Sequence, residues 1–246
     1  ALVVARGVPP LGTARVSATV GEPGALLLQG SAAAVLDGAV AGLFVVVASG
    51  PDGLLAGVLP TDAAGLSVSA VDTADVTRPL ADLTFTGCTA RRLELDAAAL
   101  NAALGAAAVA LSAEMIGTAA QAFDLTVEYL KTRHQFGKPI GSFQALKHRC
   151  ADLATDLALA HELVFACAAA LDEPGDSPPD ALIAATLMRA ASVLSRIGAE
   201  SVQLHGAIGF TEEADIGLFY RRALAVAAAL PAPVRQQESL AVLLGL

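Results

Sequence analysis

The chain has no tryptophan and only three cysteines among its 246 residues. Three is an odd number, and Cys88, Cys150 and Cys167 have no metal-ligand spacing, so neither a disulfide framework nor a metal site is predicted. This cysteine usage indicates a reducing, cytoplasmic setting. We expect no signal peptide, because the apolar stretch at the start of the sequence is short and lacks a basic flank.

Basic residues are also scarce, with 15 Lys and Arg against 24 Asp and Glu and a net charge of −9. Nucleic acids and anionic membranes bind basic surfaces, so neither is predicted as a partner. The longest uncharged run, between Asp96 and Glu114, has 17 residues. It contains Asn101 and Gly105, which favours a buried helix over a membrane span of about 20 apolar residues. Charged residues make up only 16% of the chain and hydrophobic residues 55%, which predicts burial against another subunit.

Two hydrophobic patterns divide the chain near Asp96. Residues 1–95 contain seven short apolar or alternating runs separated by glycine, proline and Asp-Gly turns, which predicts a small antiparallel β-barrel or sandwich. Residues 96–246 predict an antiparallel four-helix bundle. One or two long helices are expected at 97–132, and single helices at about 143–171, 181–204 and 212–229, with a final helix at about 234–244. The predicted fold class is α+β, with a β domain of residues 1–95 and a helical domain of residues 96–246.

The first motif with chemical meaning is RHQFGKPIGSFQ, which runs from Arg133 to Gln144 at a predicted helix end. Arg133 supplies a cationic fork for a phosphate, and Phe136 offers a flat apolar face. Gln135 and Gln144 can bond polar edges of a ligand. Taken alone, the motif is more typical of a basic helix end that complements the helix dipole, with Phe136 in the core.

The second motif is QLHGAIGF, which begins at Gln203. Its two glycines, Gly206 and Gly209, permit close approach of the backbone to a ligand. Gln203 and His205 can bond a pyrophosphate or a ribose. Taken alone, the motif is typical of a turn between two helices.

The two motifs together, about 60 residues apart, resemble the C-terminal domain of the acyl-CoA dehydrogenase family. The stretches AEMIGTAAQAFDLTVEYLKTR and LFYRRA are similar to that family as well, and the β region around LDGAV resembles its middle domain. The resemblance covers essentially the whole chain. It implies that the N-terminal helical domain of the family is absent from this chain.

The resemblance implies an FAD-dependent enzyme that takes two hydrogens from the α and β carbons of an acyl-CoA thioester. In this family the FAD lies across a subunit interface, and the neighbouring subunit's helical domain holds its ADP half. Carried over by position, the residues that resemble ADP and pyrophosphate contacts are Arg133, Gln135, Phe136, Gln144, Gln203, Gly206 and Ala207. Ala207 stands where a glycine is common in the family.

The catalytic glutamate of the family has no counterpart in this chain. Neither of its two usual places, here Ala229–Ala232 and the region near Ala107, contains an acid. Glu114 resembles a common non-catalytic acid of the family. Without a placed carboxylate, removal of the α proton has no general base, and we therefore assign no catalytic residue.

The flavin-ring platform and the CoA-binding end also depart from the family. The corresponding segments, Pro9–Ala14 and Ala34–Gly38, lack the hydroxyls and the tryptophan that bind and cover the ring. No Lys or Arg stands between Arg92 and Lys131, where the family often has an arginine directed toward CoA.

All these losses fall on the chain's own catalytic half-site. They predict a non-catalytic subunit that completes the FAD site of a homologous catalytic subunit, which binds the acyl-CoA, in a heterotetramer. Such α2β2 acyl-CoA dehydrogenases act in actinobacterial steroid side-chain degradation. Two alternatives remain: an active homo-oligomer with a displaced base, Glu114 or Glu212, and a flavin-free structural or interaction protein.

Overall fold

The computed structural model describes residues 1–4, 14–94, 96–173, 179–230 and 233–245. These residues form two compact units, Ala1–Asn101 and Ala102–Leu246. Seven strands lie in the first unit: β1 (Leu2–Val4), β2 (Arg15–Val20), β3 (Ala25–Leu36), β4 (Leu43–Gly50), β5 (Gly53–Pro60), β6 (Leu66–Val71) and β7 (Leu80–Leu93). The helices are α1 (Ala97–Thr132), α2 (Gln144–Asp172), α3 (Asp180–His205), α4 (Ile216–Ala229) and α5 (Pro233–Leu243), and two short strands, β8 (His134–Gln135) and β9 (Lys138–Pro139), follow α1.

Five strands of the first unit close a small barrel. They are hydrogen-bonded in the order β4, β2, β3, β7, β5, and β5 returns to β4. The α+β class with a small barrel is therefore confirmed. The observed sheet differs from the predicted antiparallel one in a single respect. Strand β4 runs parallel to β1 and β2, so the sheet is mixed. The period of two in a strand sets which face a side chain takes, but it does not encode the direction of the neighbouring strand.

The barrel core is filled by alternate residues of each strand. Leu26 and Leu28 of β3 and Phe85 of β7 are fully buried. After Phe85 the alternation breaks at a β-bulge, where Gly87 adopts a φ of +66° and donates a backbone hydrogen bond to Gln29 Oε1 at 2.9 Å. The bulge returns Cys88 to the core, where it is fully buried.

A second irregularity of β3 falls within the predicted platform segment Ala34–Gly38. Ala34 has a φ of +52°, and its backbone N–H donates to Asp82 Oδ1 at 2.8 Å. The carboxylate thus holds a backbone conformation that is unfavourable for alanine. The other predicted platform segment lies outside the described residues, except for Ala14.

The helices of the second unit follow the predicted order, with one shifted boundary. α4 begins at Ile216, four residues after the predicted start, because residues 211–215 form turns. In these turns Thr211 Oγ1 accepts a hydrogen bond from the backbone N–H of Glu213 at 3.3 Å. The residues 231–232 that precede α5 lie outside the described part of the chain.

Ion pairs connect α2 to α3. The Nη2 of Arg189 lies 2.6 Å from Asp156 Oδ1, and Arg196 contacts the other oxygen of the same carboxylate. Burial raises the pKa of Asp156, but hydrogen bonds and charge from the two arginines outweigh it and hold that pKa below its usual value.

Three helical stretches are long and apolar enough to cross a membrane, by length and composition alone: Ala98–Thr132, Gln144–Asp172 and Asp180–Phe210. In the second of these, only 22% of the most apolar window is buried within the chain. The absence of a membrane partner therefore stays a prediction.

Candidate functional site

The first motif folds into a tight hairpin at the end of α1. β8 and β9 are joined by Phe136 and Gly137, whose φ values of +55° and +78° are those of a type I′ turn. Asn or Gly normally occupies such positions, and positive φ is unfavourable for a bulky side chain. Phe136 is nevertheless 89% exposed, so burial does not compensate this strain within the chain. Backbone strain that the fold does not require is characteristic of functional positions.

Backbone and ring contacts hold the hairpin against the helix ends. The backbone N–H of Ile140 donates to the carbonyl of Arg133 at 2.8 Å. The Phe136 ring meets the Phe143 ring edge-on at 6.0 Å, and Lys138 Nζ lies 4.3 Å from the centre of the Phe143 ring. Arg133 is therefore presented from a defined helix end rather than from a free loop.

The second motif lies at the end of α3. Gly206 has a φ of +67°, which lets the chain leave the helix and enter a short 3-10 helix, Gly206–Phe210. A Cβ at Gly209 would stand 2.6 Å from the carbonyl oxygen of Val202, so only glycine fits there. The two glycines thus fold this segment closely over the end of α3.

An open cavity of about 420 Å³ lies between the two motifs, within the helical unit. Five of the seven predicted site residues line it: Arg133, Gln135, Gln203, Gly206 and Ala207. The other two, Phe136 and Gln144, do not line it, and Gln144 Nε2 lies 3.0 Å from His148 Nε2.

The lining of the cavity is cationic although the chain as a whole is acidic. It contains two arginines and no carboxylate among the described residues. Arg149 is already paired, with its Nε 2.8 Å from Glu200 Oε2. Arg133 forms no ion pair or side-chain hydrogen bond with any residue that the structure describes. Its guanidinium is thus available to an anion, and a phosphate matches its fork of donors.

Five further residues line the cavity that the sequence had not indicated: Tyr129, Ile140, Leu146, Arg149 and Leu204. His205, which the second motif suggested as a ligand contact, lines the cavity as well. Tyr129 precedes Arg133 by one helical turn, and this spacing was the available signal in the sequence. The stacking of Tyr129 on His205, with ring centroids 4.4 Å apart, joins two different helices and has no sequence signal.

The two acids considered as displaced catalytic bases lie elsewhere. Glu114 on α1 contacts Arg222 of α4 at 2.5 Å, and Glu212 contacts Arg221 at 3.1 Å with 86% of its side chain exposed. Neither lines the cavity. Cys150 directly follows the cavity-lining Arg149, and burial raises the pKa of its thiol, which therefore stays protonated. Within the described ranges, no cluster of His, Cys, Asp and Glu is arranged to hold a metal ion.

Comparison with known proteins identifies the family of the helical part of the chain. Residues 95–229 match the family described as acyl-CoA dehydrogenase, C-terminal domain. The acyl-CoA dehydrogenase IpdE2 of Mycobacterium tuberculosis is 48% identical over 138 residues, which are 54% of this chain and 41% of IpdE2. The chain thus aligns with less than half the length of this curated relative.

Two solved structures are similar over nearly the whole chain. A variant of the Tcur3481–Tcur3483 steroid ACAD superposes with a TM-score of 0.88 at 27% identity, over 99% of this chain and 67% of that chain. The ChsE4–ChsE5 complex from Mycobacterium tuberculosis superposes with a TM-score of 0.85 at 26% identity, over 99% of this chain and 65% of that chain.

Proposed function

This chain belongs to the acyl-CoA dehydrogenase family, whose members are FAD flavoproteins, and from that premise we propose that it is the non-catalytic subunit of a heteromeric acyl-CoA dehydrogenase. Its helical domain, residues 96–246, holds the ADP half of an FAD whose ring lies on a homologous catalytic subunit. The partner binds the acyl-CoA substrate. The complex is a cytoplasmic heterotetramer.

The cavity fits the phosphate-bearing half of FAD. It offers a guanidinium, Arg133, with no partner among the described residues. Gln135 and Gln203 add amide donors and acceptors. The cavity volume of about 420 Å³ lies within the range of ligand pockets, roughly 300–1,000 Å³.

Each residue then has a defined task in holding the cofactor. Arg133 binds and orients the pyrophosphate through charge-assisted hydrogen bonds. Gln135 and Gln203 bond polar edges, and the backbone at Gly206 and Ala207 allows close approach. The chemistry that FAD would supply when bound is the acceptance of a hydride from the substrate during desaturation. Phe136 and Gln144, which lie outside the cavity lining, contact the cofactor or the partner from the hairpin and from the start of α2.

The proposal rests on a contrast between the residues predicted to bind ADP and the acids considered as catalytic bases. Five predicted ADP contacts converge on one cavity around the partner-free Arg133. A general base must lie within hydrogen-bond reach of the proton that it removes. The carboxylates of Glu114 and Glu212 instead contact arginines outside the cavity. This favours the non-catalytic subunit over an active homo-oligomer with a displaced base.

The similar proteins support a heteromeric complex acting on a steroid-linked acyl-CoA. One of the similar structures is a complex of two differently named chains, and the other is named a steroid ACAD. We therefore infer the same substrate class, an acyl chain on a steroid, for the complex formed by this protein.

Co-expression tests the proposal. The full-length protein is purified alone and with a homologous catalytic subunit, and each sample is assayed for FAD absorbance and for oxidation of steroid-linked and fatty acyl-CoA. We expect the protein alone to hold little FAD and to oxidise none of the substrates, and the complex to do both. A homo-oligomer that holds one FAD per chain and oxidises acyl-CoA would refute the proposal. An active complex whose FAD does not depend on this subunit would favour a flavin-free structural role.

A further inference from the structure

Strand β6 forms an open edge of the barrel sheet. Within the described residues it pairs with β7 alone, in an unbroken register that runs from Leu66–Phe85 to Val71–Leu80. Proteins protect such edges with very short strands, charged residues, proline or bulges, because unpaired backbone groups attract further strands. β1, which also has one neighbouring strand, is three residues long. β6 has six residues, none of them charged or proline, and no bulge, so it lacks each of these protections.

Every second residue of β6 directs its backbone groups at this open edge. The N–H of Thr86 donates to the carbonyl of Gly65 at 2.9 Å, and these two residues continue the β6–β7 register. Since backbone groups alternate sides along a strand, the odd-numbered residues of β6 bond β7, while Leu66, Val68 and Ala70 face outward. The N–H of Leu66 bonds within the preceding turn, and no other hydrogen bond between described residues reaches these outward groups. The carbonyl of Leu66 and both backbone groups of Val68 and Ala70 are therefore left for a further strand.

The side chains of β6 restrict which strand can pair with it. Leu66 and Val68 pack partly against the barrel core, whereas Ser67 and Ser69 are exposed on the outer face. A strand added at this edge must continue that alternation, since a shift of one residue would turn its apolar side chains outward.

A second copy of β6 meets these requirements. Antiparallel pairing about a two-fold axis through Val68 or Ser69 keeps the alternation and bonds the outward N–H groups of each copy to carbonyls of the other. The chain has a net charge of −9, but the acids nearest to β6 in the sequence, Asp62 and Asp72, fall opposite uncharged residues in either register. The strand is thus complementary to itself in hydrogen bonding, in side-chain pattern and in charge.

We propose that β6 pairs edge to edge with β6 of a second copy of this chain, so that two barrel sheets join across a two-fold axis. In the complex of the proposed function, this contact connects the two copies of the non-catalytic subunit. The inference goes beyond that function and does not depend on FAD, because the cavity lining includes no residue of β6.

Cross-linking of the full-length protein tests the contact. Ser69 lies on the axis or one diagonal position from its own copy, which puts the two Cα atoms about 4.5–8 Å apart. We expect a short bismaleimide to convert the Ser69→Cys variant to a covalent dimer. Ser17→Cys is the matched control, because Ser17 is also an exposed serine but lies on β2, between β3 and β4. The wild type sets the background from its own cysteines.

Sedimentation velocity measures the same contact without a cross-linker. Ala70→Pro removes an outward N–H that β7 does not use, and proline is tolerated at such edge positions. Two hydrogen bonds lost per dimer correspond to a roughly 5- to 150-fold rise in the dimer dissociation constant. Ala70→Val keeps the N–H at an exposed position and should dimerise like the wild type.

Three outcomes would overturn the pairing. They are equal cross-linking of the two cysteine variants, a dimer dissociation constant that Ala70→Pro leaves unchanged, and loss of the Ser69→Cys cross-link on co-expression with the homologous catalytic subunit, which would assign the edge to that subunit. The cross-linking result decides the question even if Ala70→Pro does not fold. A chain that cross-links through β6 but whose complex holds no FAD would refute the proposed function alone.

Discussion

Replacing Arg133 with alanine is expected to weaken FAD binding in the assembled complex and to leave the fold intact. The fold should tolerate this change because the hydrogen bonds of Arg133 to the described residues are made by its backbone. Its N–H donates to the carbonyl of Tyr129, and its own carbonyl accepts from Ile140. Alanine keeps both bonds, so the free energy of unfolding should change by no more than about 0.5 kcal/mol.

The loss of affinity follows from the bond that disappears. A hydrogen bond between a guanidinium and a phosphate contributes about 1.5–3 kcal/mol, which corresponds to a rise in the dissociation constant of FAD of roughly 10- to 150-fold. Arg149 does not replace Arg133, because Glu200 already holds its guanidinium.

The assay is fluorescence titration of the flavin-depleted complex with FAD, together with chemical denaturation of each variant. Lys131→Ala is the matched control, because it removes a positive charge two residues away that pairs with Glu128 at 2.6 Å and does not line the cavity. We expect it to bind FAD like the wild type. An Arg133→Ala complex with unchanged FAD affinity would refute the site, and equal losses in both variants would show that only net charge matters.

Three further predictions concern the complex, the hairpin and the α2–α3 ion pairs. A purified α2β2 complex should hold two FAD molecules, one per heterodimer, as counted from flavin absorbance against protein mass; four would show that this chain also binds a flavin ring. Phe136→Asn should stabilise the protein by about 1 kcal/mol in chemical denaturation, because asparagine tolerates positive φ, yet weaken FAD binding or assembly; a less stable variant would contradict the strain that we infer. Asp156→Asn should destabilise the protein by about 1 kcal/mol at neutral pH, because Arg189 and Arg196 lose their shared partner. Since the folded pKa of Asp156 is lowered, this contribution is fully present above the ordinary carboxyl value of about 3.9 and disappears as the pH falls through the folded value. Denaturation curves of the two proteins that still differ in strong acid would disprove that assignment.

The strands and helices could be predicted from the sequence because hydrophobic period is a local property. The alternation of β7 and the long alanine-rich run of α1 each carry their own pattern. The shifted start of α4 had no such signal, because residues 211–215 are mostly polar and form turns whose hydrogen bonds compete with those of a helix.

The candidate site, like the fold, could be predicted from the sequence only in part. The RHQFG and QLHGA motifs contain residue types that suit a phosphate, an arginine, amides and glycines, but only their joint resemblance to the family implied a nucleotide site. The sequence could not separate Gln135, which lines the cavity, from Phe136 and Gln144, which do not. For Phe136 that separation depends on the type I′ turn, which turns the chain back within two residues.

The sequence by itself determined the family and the fold class, because both are a matter of which residues stand in order along the chain. Only the tertiary structure decided which charged side chains are available to bind a ligand. Glu114 and Arg149 are engaged by Arg222 and Glu200, whereas Arg133 has no partner among the described residues. Such pairings join residues that are 51 and 108 positions apart, and they form only when helix packing brings the side chains together.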